Sequence, residues 1–304
     1  MRYYNVLNIS LQQIQIFLKV MELRNFTRVA EHFNFTVSMI SKTISNMEKE
    51  MGLILFLRNP RELKPTPAAA VLAHEWRSIV TTVEQSLEKA HTAQNGAKRT
   101  IKLGLIDSSS VMDQTLNECL DRFEQENPTI DIHVEKMDMH ELVEALNAGD
   151  VDIICTGHHE GPALDAYGLP WKMLLTCPLA IYVPRSSPLF ARDQLVFSEL
   201  RKEEFVIPSP VQHSNYYAVL EALCRNHGFT PRIGVTVPNV RSMAYSLQRQ
   251  KGVVLSCAAT DNWAGENVKC FLLPEQGGIL IGWSRSPDKA CLHLVEHMMS
   301  FFNS

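Results

Sequence analysis

Apolar positions in the first sixty residues recur at helical intervals. In Leu11–Glu22 the residues Ile14, Phe17, Leu18 and Met21 share one face and predict a first helix. A second helix, capped by Asn25 or Thr27, buries Val29, Ala30 and Phe33 and runs to about Asn34, which tolerates the left-handed backbone of a tight turn. Thr36 then caps a third, ending near Gly52, whose stripe Val37, Ile40, Ile44 and Met47 has spacings of 3, 4 and 3. Its other face carries Ser38, Ser41, Lys42, Ser45, Asn46 and Lys49. A short polar and cationic face on a helix braced across a tight turn is the geometry that enters a DNA major groove. Leu53–Leu57 and Leu63–Thr66 predict two short strands around the basic turn Arg58-Asn59-Pro60-Arg61, a wing whose arginines suit phosphates or the minor groove.

Pro67 opens a long predicted helix reaching about Ala93. Leu72, Trp76, Ile79, Val83, Ser86 and Ala90 follow one another at 4, 3, 4, 3 and 4, with Leu87 beside them. Such a heptad seam wants a partner helix, so Leu72, Trp76, Ile79, Val83 and Leu87 are the expected dimer contacts. Residues 95–99 (NGAKR) have the composition of a hinge.

Beyond Thr100 the texture changes. Short apolar strands (IKLGLI, IDIHVE, VDIICT) alternate with helices at about 111–126 and 140–148, which predicts a parallel sheet covered on both faces. Further strands are expected at 178–184, 205–208, 233–237, 252–257 and 279–283, with helices at about 214–227 and 239–250. The 158–176 stretch reads as a crossing between two α/β lobes. The expected partition is a DNA-binding domain at 1–66, a dimerisation helix at 67–94, the hinge at 95–99, and an effector domain at 100–304. Within the last, lobe I takes about 100–162 and 284–304 and lobe II about 176–275.

Charge sharpens this division. The whole chain carries −4, but residues 1–66 hold nine Lys/Arg against five Asp/Glu, a net +4, while residues 100–304 hold 16 against 25, a net −9. The basic charge thus sits where the helix-turn-helix pattern lies. No apolar run approaches about 18 residues and the N-terminus has no secretory pattern, so a cytoplasmic protein without a membrane partner is expected. Seven scattered cysteines form no C-x-x-C pair and read as structural thiols, with Cys155 and Cys257 as small buried hydrophobes.

The order of these parts resembles the LysR-type transcriptional regulators over nearly the full length. Leu11 and Phe17 match the family's first helix; Asn25-Phe26-Thr27, Val29-Ala30 and Phe33 match its second. Ser41, Ile44, Met47-Glu48, Gly52, Leu55-Phe56, Arg58 and Thr66-Pro67 continue in register. The family usually opens its recognition helix with Gln-Pro, where this chain has Val37-Ser38, and Ala69 stands where glycine is common. The resemblance implies an α/β multidomain protein: a winged helix-turn-helix, a long linker helix that pairs subunits, and a two-lobed effector domain like periplasmic binding proteins. It implies a small-molecule inducer between the lobes, a homodimer or homotetramer on double-stranded promoter DNA, and RNA polymerase as a further partner.

Candidate sites follow. Ser38, Ser41, Lys42, Ser45 and Asn46 face bases, where asparagine suits adenine and lysine suits guanine or phosphate. Thr27, Arg28, Arg58, Arg61 and Lys64 are placed for phosphates. For the effector, Ser108-Ser109-Ser110 ends the first α/β strand, and its hydroxyls and free N–H groups suit an anion such as a carboxylate. Ser110 with Asp113 also has capping-box spacing. Thr156, Ser209 and Val211 join them outside strand ends, where open α/β sheets collect ligands. His158-His159 beside Glu160 are adjacent rather than i, i+4 and read as polar surface, so no metal is expected, and no cofactor. Met137, Met139, Met243, Met298 and Met299 read as core filling ahead of an adaptable pocket. No G-x-S-x-G, H-E-x-x-H or P-loop is present, so no enzyme is expected. The alternatives are a solute-binding or enzymatic α/β protein with a non-DNA N-terminal module, or a thiol-switched regulator acting through Cys257 or Cys270.

Overall fold

The computed structural model describes residues 8–59, 62–95, 98–107, 112–258 and 263–303. The chain forms two compact units, Met1–Asn95 and Gly96–Ser304.

In the first unit, α1 (Leu11–Leu23), α2 (Phe26–Phe33) and α3 (Val37–Met51) precede a hairpin of β1 (Phe56–Asn59) and β2 (Glu62–Pro65) and the long α4 (Pro67–Asn95). Side chains set the boundaries. Ser10 and Gln13 close a capping box on α1. Asn25 Oδ1, not Thr27, caps α2 by accepting from the N–H groups of Thr27 and Arg28. Asn34 ends α2 at φ 55°, and Gly52 ends α3 at φ 67°. Ile16, Phe17, Val20, Val29, Ala30, Ile40, Ile44 and Met47 form the core with Leu55, Phe56, Ala69 and Ala73. Val37, expected in the buried stripe, is 43% exposed, because it stands at the first turn of α3, beyond the reach of that core.

In the second unit, β3 (Arg99–Ile106), β4 (Ile130–Met137) and β5 (Ile153–Gly157) alternate with α5 (Met112–Glu126) and α6 (Met139–Ala148). A single 3₁₀ turn (His158–Glu160) and α7 (Gly161–Ala166) lead to β6 (Trp171–Pro184). β7 (Glu204–Pro208), α8 (Ser214–Asn226), β8 (Arg232–Val237), α9 (Val240–Gln248) and β9 (Val254–Cys257) follow, then β10 (Val268–Trp283) and α10 (Lys289–Phe302). The main sheet runs β4-β3-β5-β10-β6-β9, with β7-β8 as a separate parallel pair bridged to Val253.

The sheet is mixed: β3 is parallel to β4 and β5, but β10 is antiparallel to both β5 and β6, and β6 to β9. The crossing expected at 158–176 falls at the end of that span, where β6 passes from one lobe's core at Leu174 to the other's at Leu179 with β10 beside it. Strand β6 begins at Trp171 and β10 at Val268, each well before its apolar run, because their first halves alternate in burial. Arg99, read as hinge, opens β3, where its guanidinium pairs with Asp152 at 3.2 Å and Asp288 at 2.9 Å.

Each lobe has its own core. One surrounds Tyr182, Phe205, Leu220, Leu247 and Leu255. The other lobe packs both sheet faces, with Phe123, Ile153 and Leu294 on one side and Leu142, Leu146, Ile154 and Leu280 on the other. At the crossing, a side chain on Gly278 (φ 145°) would collide with the Leu175 carbonyl, so β6 and β10 pass there only because glycine is present.

Candidate DNA-binding face and interlobe cavity

The buried face of α3 fixes the opposite one. With Ile40, Ile44 and Met47 in the core, Ser38, Lys42, Ser45, Asn46 and Lys49 stand outward, and Ser41 is half-buried at the margin. Thr36 Oγ1 accepts from the Met39 N–H at 3.2 Å and starts the helix on the correct residue. Thr27 and Arg28 are exposed at the head of α2, and Lys64 is exposed on β2. The side chain of Arg58, and Arg61 altogether, lie outside the described residues. Periodicity missed that Val37 and Met39 add apolar surface (43% and 44% exposed) beside the polar face.

Glu48 ties the segment entering the hairpin to the recognition helix. Glu48 Oε1 accepts from Leu55 N–H at 2.8 Å and Phe56 N–H at 3.2 Å. Thr66 donates to the Ile54 carbonyl and accepts from the Ala69 N–H, joining the wing to the start of α4.

The expected dimer seam divides in two. Leu72 and Trp76 pack on the unit's own core, Trp76 edge-on to Phe17. Ile79 and Leu87 are 45% and 59% exposed, with Val83 half-buried between them.

In the second unit, Met139, Gly157–His159, Tyr216, Met243, Leu255–Cys257, Trp263 and Gly278 are among the residues enclosing a cavity of about 70 Å³. At 10–15 Å³ per water centre this holds on the order of five waters. Its wall is mostly apolar. Of the expected effector residues, Ser108, Ser109 and Ser110 lie outside the described residues. Thr156 is fully buried one residue before the wall, its Oγ1 without a hydrogen-bond partner. Ser209 shapes the turn into α8, its N–H donating to the Val237 carbonyl, while Val211 is 92% exposed and points away. Neither touches the cavity. Met139 and Met243 line it, whereas Met298 fills a core.

The histidines correct the reading as polar surface. The His159 side chain is only 11% exposed, stacks edge-on to Tyr216, and has its pKa lowered to about 3, chiefly by burial. Burial also lowers the pKa of His158 and raises that of Glu160, which is 4% exposed and accepts from Asn215 at 3.0 Å. Beside them Asp138 Oδ1 lies 3.1 Å from His140 Nδ1 and 3.2 Å from His213 Nε2. Asp138 and His140 flank the start of α6, and His213 directly precedes α8 in the other lobe, so no spacing in the sequence could have joined them.

The seven cysteines also divide. Cys177 on β6 and Cys257 on β9 form a disulfide, so Cys257 is not the reduced hydrophobe expected. Cys119, Cys155, Cys224, Cys270 and Cys291 are not disulfide-bonded, and Cys155 is fully enclosed in a core. No local spacing signals the pairing, which spans 80 residues and depends on β6 lying beside β9. Among the described residues no helix is long and apolar enough to cross a membrane.

Comparison with known proteins agrees with this architecture. Residues 11–70 match the bacterial regulatory helix-turn-helix protein, lysR family, and residues 94–286 match the LysR substrate binding domain. The chain is 25% identical over 227 residues to the uncharacterized HTH-type transcriptional regulator YnfL of Escherichia coli, covering 75% of each. It is 22% identical over 224 residues to the HTH-type transcriptional regulator AlsR of Bacillus subtilis, covering 74% of this chain and 72% of AlsR. The crystal structure of CbnR, a LysR family transcriptional regulator, superposes with a TM-score of 0.65 at 16% identity over 97% of this chain and all of CbnR. CbnR complexed with its target DNA superposes at 0.63 and 17% identity, covering 96% of this chain and all of that one. With both family models matched in order, one on the winged head and the other on the two-lobed unit, the chain belongs to the LysR family of DNA-binding transcriptional regulators with an effector-binding domain.

Proposed function

We propose that this protein works in the cytoplasm as a homo-oligomer that reads promoter DNA through α3 and is set by a small molecule held between the lobes of its second unit. The observation that carries the reading is the outward face Ser38, Lys42, Ser45, Asn46 and Lys49 over the buried Ile40, Ile44 and Met47. Lys42 and Asn46 offer base or phosphate contacts, and Val37 offers an apolar contact to a thymine methyl in place of the family's glutamine. Thr27, Arg28, Arg58, Arg61 and Lys64 hold phosphates. Copies pair through the outward part of α4, at Ile79, Val83 and Leu87. The mostly apolar cavity suits an effector with an apolar body, and the hydroxyls of Ser108, Ser109 and Ser110 suit an anionic group on it. Such a ligand regulates only if its affinity differs between two lobe arrangements.

The test is binding to the protein's own upstream DNA across a salt series. Lys42→Ala, alone and with Arg58→Ala, should weaken binding and reduce the log–log salt slope by about one per lost phosphate contact. Unchanged affinity and slope in both variants would reject the assignment.

A second reading, a thiol-switched regulator, is favoured by the Cys177–Cys257 disulfide. DNA affinity that changes between oxidant and reductant, and stops changing in Cys177→Ser but not in Cys270→Ser, would support it.

A further inference from the structure

We propose that Asp138, His140 and His213 form a binding site for a divalent transition-metal ion, with zinc as its best fit, at the junction of the two lobes. The donor atoms of all three lie within 4.8 Å of one another. Bonds of about 2.0–2.1 Å to a tetrahedral ion put its ligand atoms roughly 3.3 Å apart. Asp138 Oδ1 stands 3.1 Å from His140 Nδ1 and 3.2 Å from His213 Nε2.

The state of His213 separates this from an ordinary polar contact. The residue is 1% exposed, yet neither ring nitrogen meets a partner in hydrogen-bond line. Asp138 Oδ1 is near enough to Nε2 but badly placed to accept its proton. A buried imidazole left so costs free energy that an ion along the nitrogen lone pair would return. The Pro238 carbonyl lies beside the ring. A carbonyl behind a ligating histidine is the usual means of holding its tautomer. Helix capping accounts for an aspartate at position 138, but not for two imidazoles converging on it from different lobes.

The donor set names the ion class. Two imidazoles and one carboxylate suit zinc and its late first-row neighbours, whereas magnesium and calcium take oxygen donors. Three protein donors leave a position for water or for a donor atom of another bound molecule. Because α6 packs in one lobe and α8 in the other, a bound ion would join them. Binding would then favour the arrangement that brings the donors together, whatever occupies the apolar cavity.

The test uses the full-length chain, stripped with a chelator and titrated without DNA. Zinc by calorimetry should bind at one equivalent, and cobalt should develop the visible absorption of an imidazole-ligated ion. His140→Gln and Asp138→Asn should each weaken zinc by at least about 100-fold, since even outer partners of a ligand cost 10–100-fold. His213→Gln should do the same, and the half-exposed His140 keeps the test decisive should that variant fold poorly. His133→Gln, at the exposed His133–Glu135 pair, should change nothing. No binding, equal binding of magnesium, binding untouched by His140→Gln and Asp138→Asn, or binding abolished by His133→Gln would each overturn the site. None of these results bears on DNA recognition, which is measured separately.

Discussion

Trp76 stands edge-on to Phe17 with ring centroids 5.3 Å apart, so the first turns of α4 belong to the core of the DNA-binding unit. Only the first part of the heptad stripe is therefore taken up by that core, and Ile79 and Leu87 stand outward. Trp76→Ala removes half-buried aromatic surface from a small core and should cost about 2 kcal/mol or more. That lowers the unit's melting temperature by on the order of 10 °C. Leu87→Glu, at a position 59% exposed, should leave that temperature unchanged and weaken self-association in sedimentation. Loss of stability in Leu87→Glu, or none in Trp76→Ala, would reverse the division.

Why the seam looked continuous is instructive. Leu72, Trp76, Ile79 and Val83 keep one helical spacing, and spacing reports a shared face without saying which body covers it. The helix-turn-helix was legible because its stripe Ile40, Ile44 and Met47 and its caps Thr36 and Gly52 are local features of one short segment. The strands β3 to β5 were legible because each is a short apolar run set between helices. What escaped the sequence was long-range: the antiparallel run of β6 and β10, the Cys177–Cys257 pair, and the meeting of Asp138 and His140 with His213. Each depends on the path of the sheet rather than on local periodicity. Val37 shares the stripe yet lies outside the core, because a four-residue stripe does not show where its core ends.

Glu48 carries the orientation of the wing. It accepts from two consecutive backbone N–H groups, and Glu48→Ala leaves both without that partner, a loss of about 1–3 kcal/mol. DNA affinity should fall with it, since the hairpin is no longer tied to α3. Glu48→Gln retains an accepting oxygen and should restore part of both. Equal losses in the two variants would point to charge instead of the shared acceptor.

Thiol chemistry should follow burial. The Cys155 and Cys224 thiols are pushed up to about 12, and Cys119 to about 11, chiefly by burial. At pH 8 a thiol of pKa 12 is thiolate in only about one molecule in ten thousand, so these should react slowly in the native state. Non-reducing peptide mapping should recover Cys177 joined to Cys257, and mild reduction should release two further thiols. Closing a loop of this length, the bond should contribute about 2–4 kcal/mol, read as a lower denaturant midpoint in Cys177→Ser. Identical midpoints with and without reductant would exclude that contribution.

His159 ties the stability of the second unit to pH. Its folded pKa of about 3 lies below the unfolded value near 6.5, so between those limits the unfolded chain holds a proton that the folded one rejects. Stability is therefore fully present above 6.5 and declines as pH falls, by at most about 1.4 kcal/mol per unit for this residue, or about 2 kcal/mol by pH 5. The raised pKa of Glu160 acts oppositely, because its folded form gains a proton more readily in acid. The contribution of His159 is isolated by difference: urea midpoints at pH 7.5 and pH 5 should separate less in His159→Gln than in the parent. If the two proteins lose the same stability on acidification, the imidazole is not held neutral and the enclosed geometry against Tyr216 is wrong.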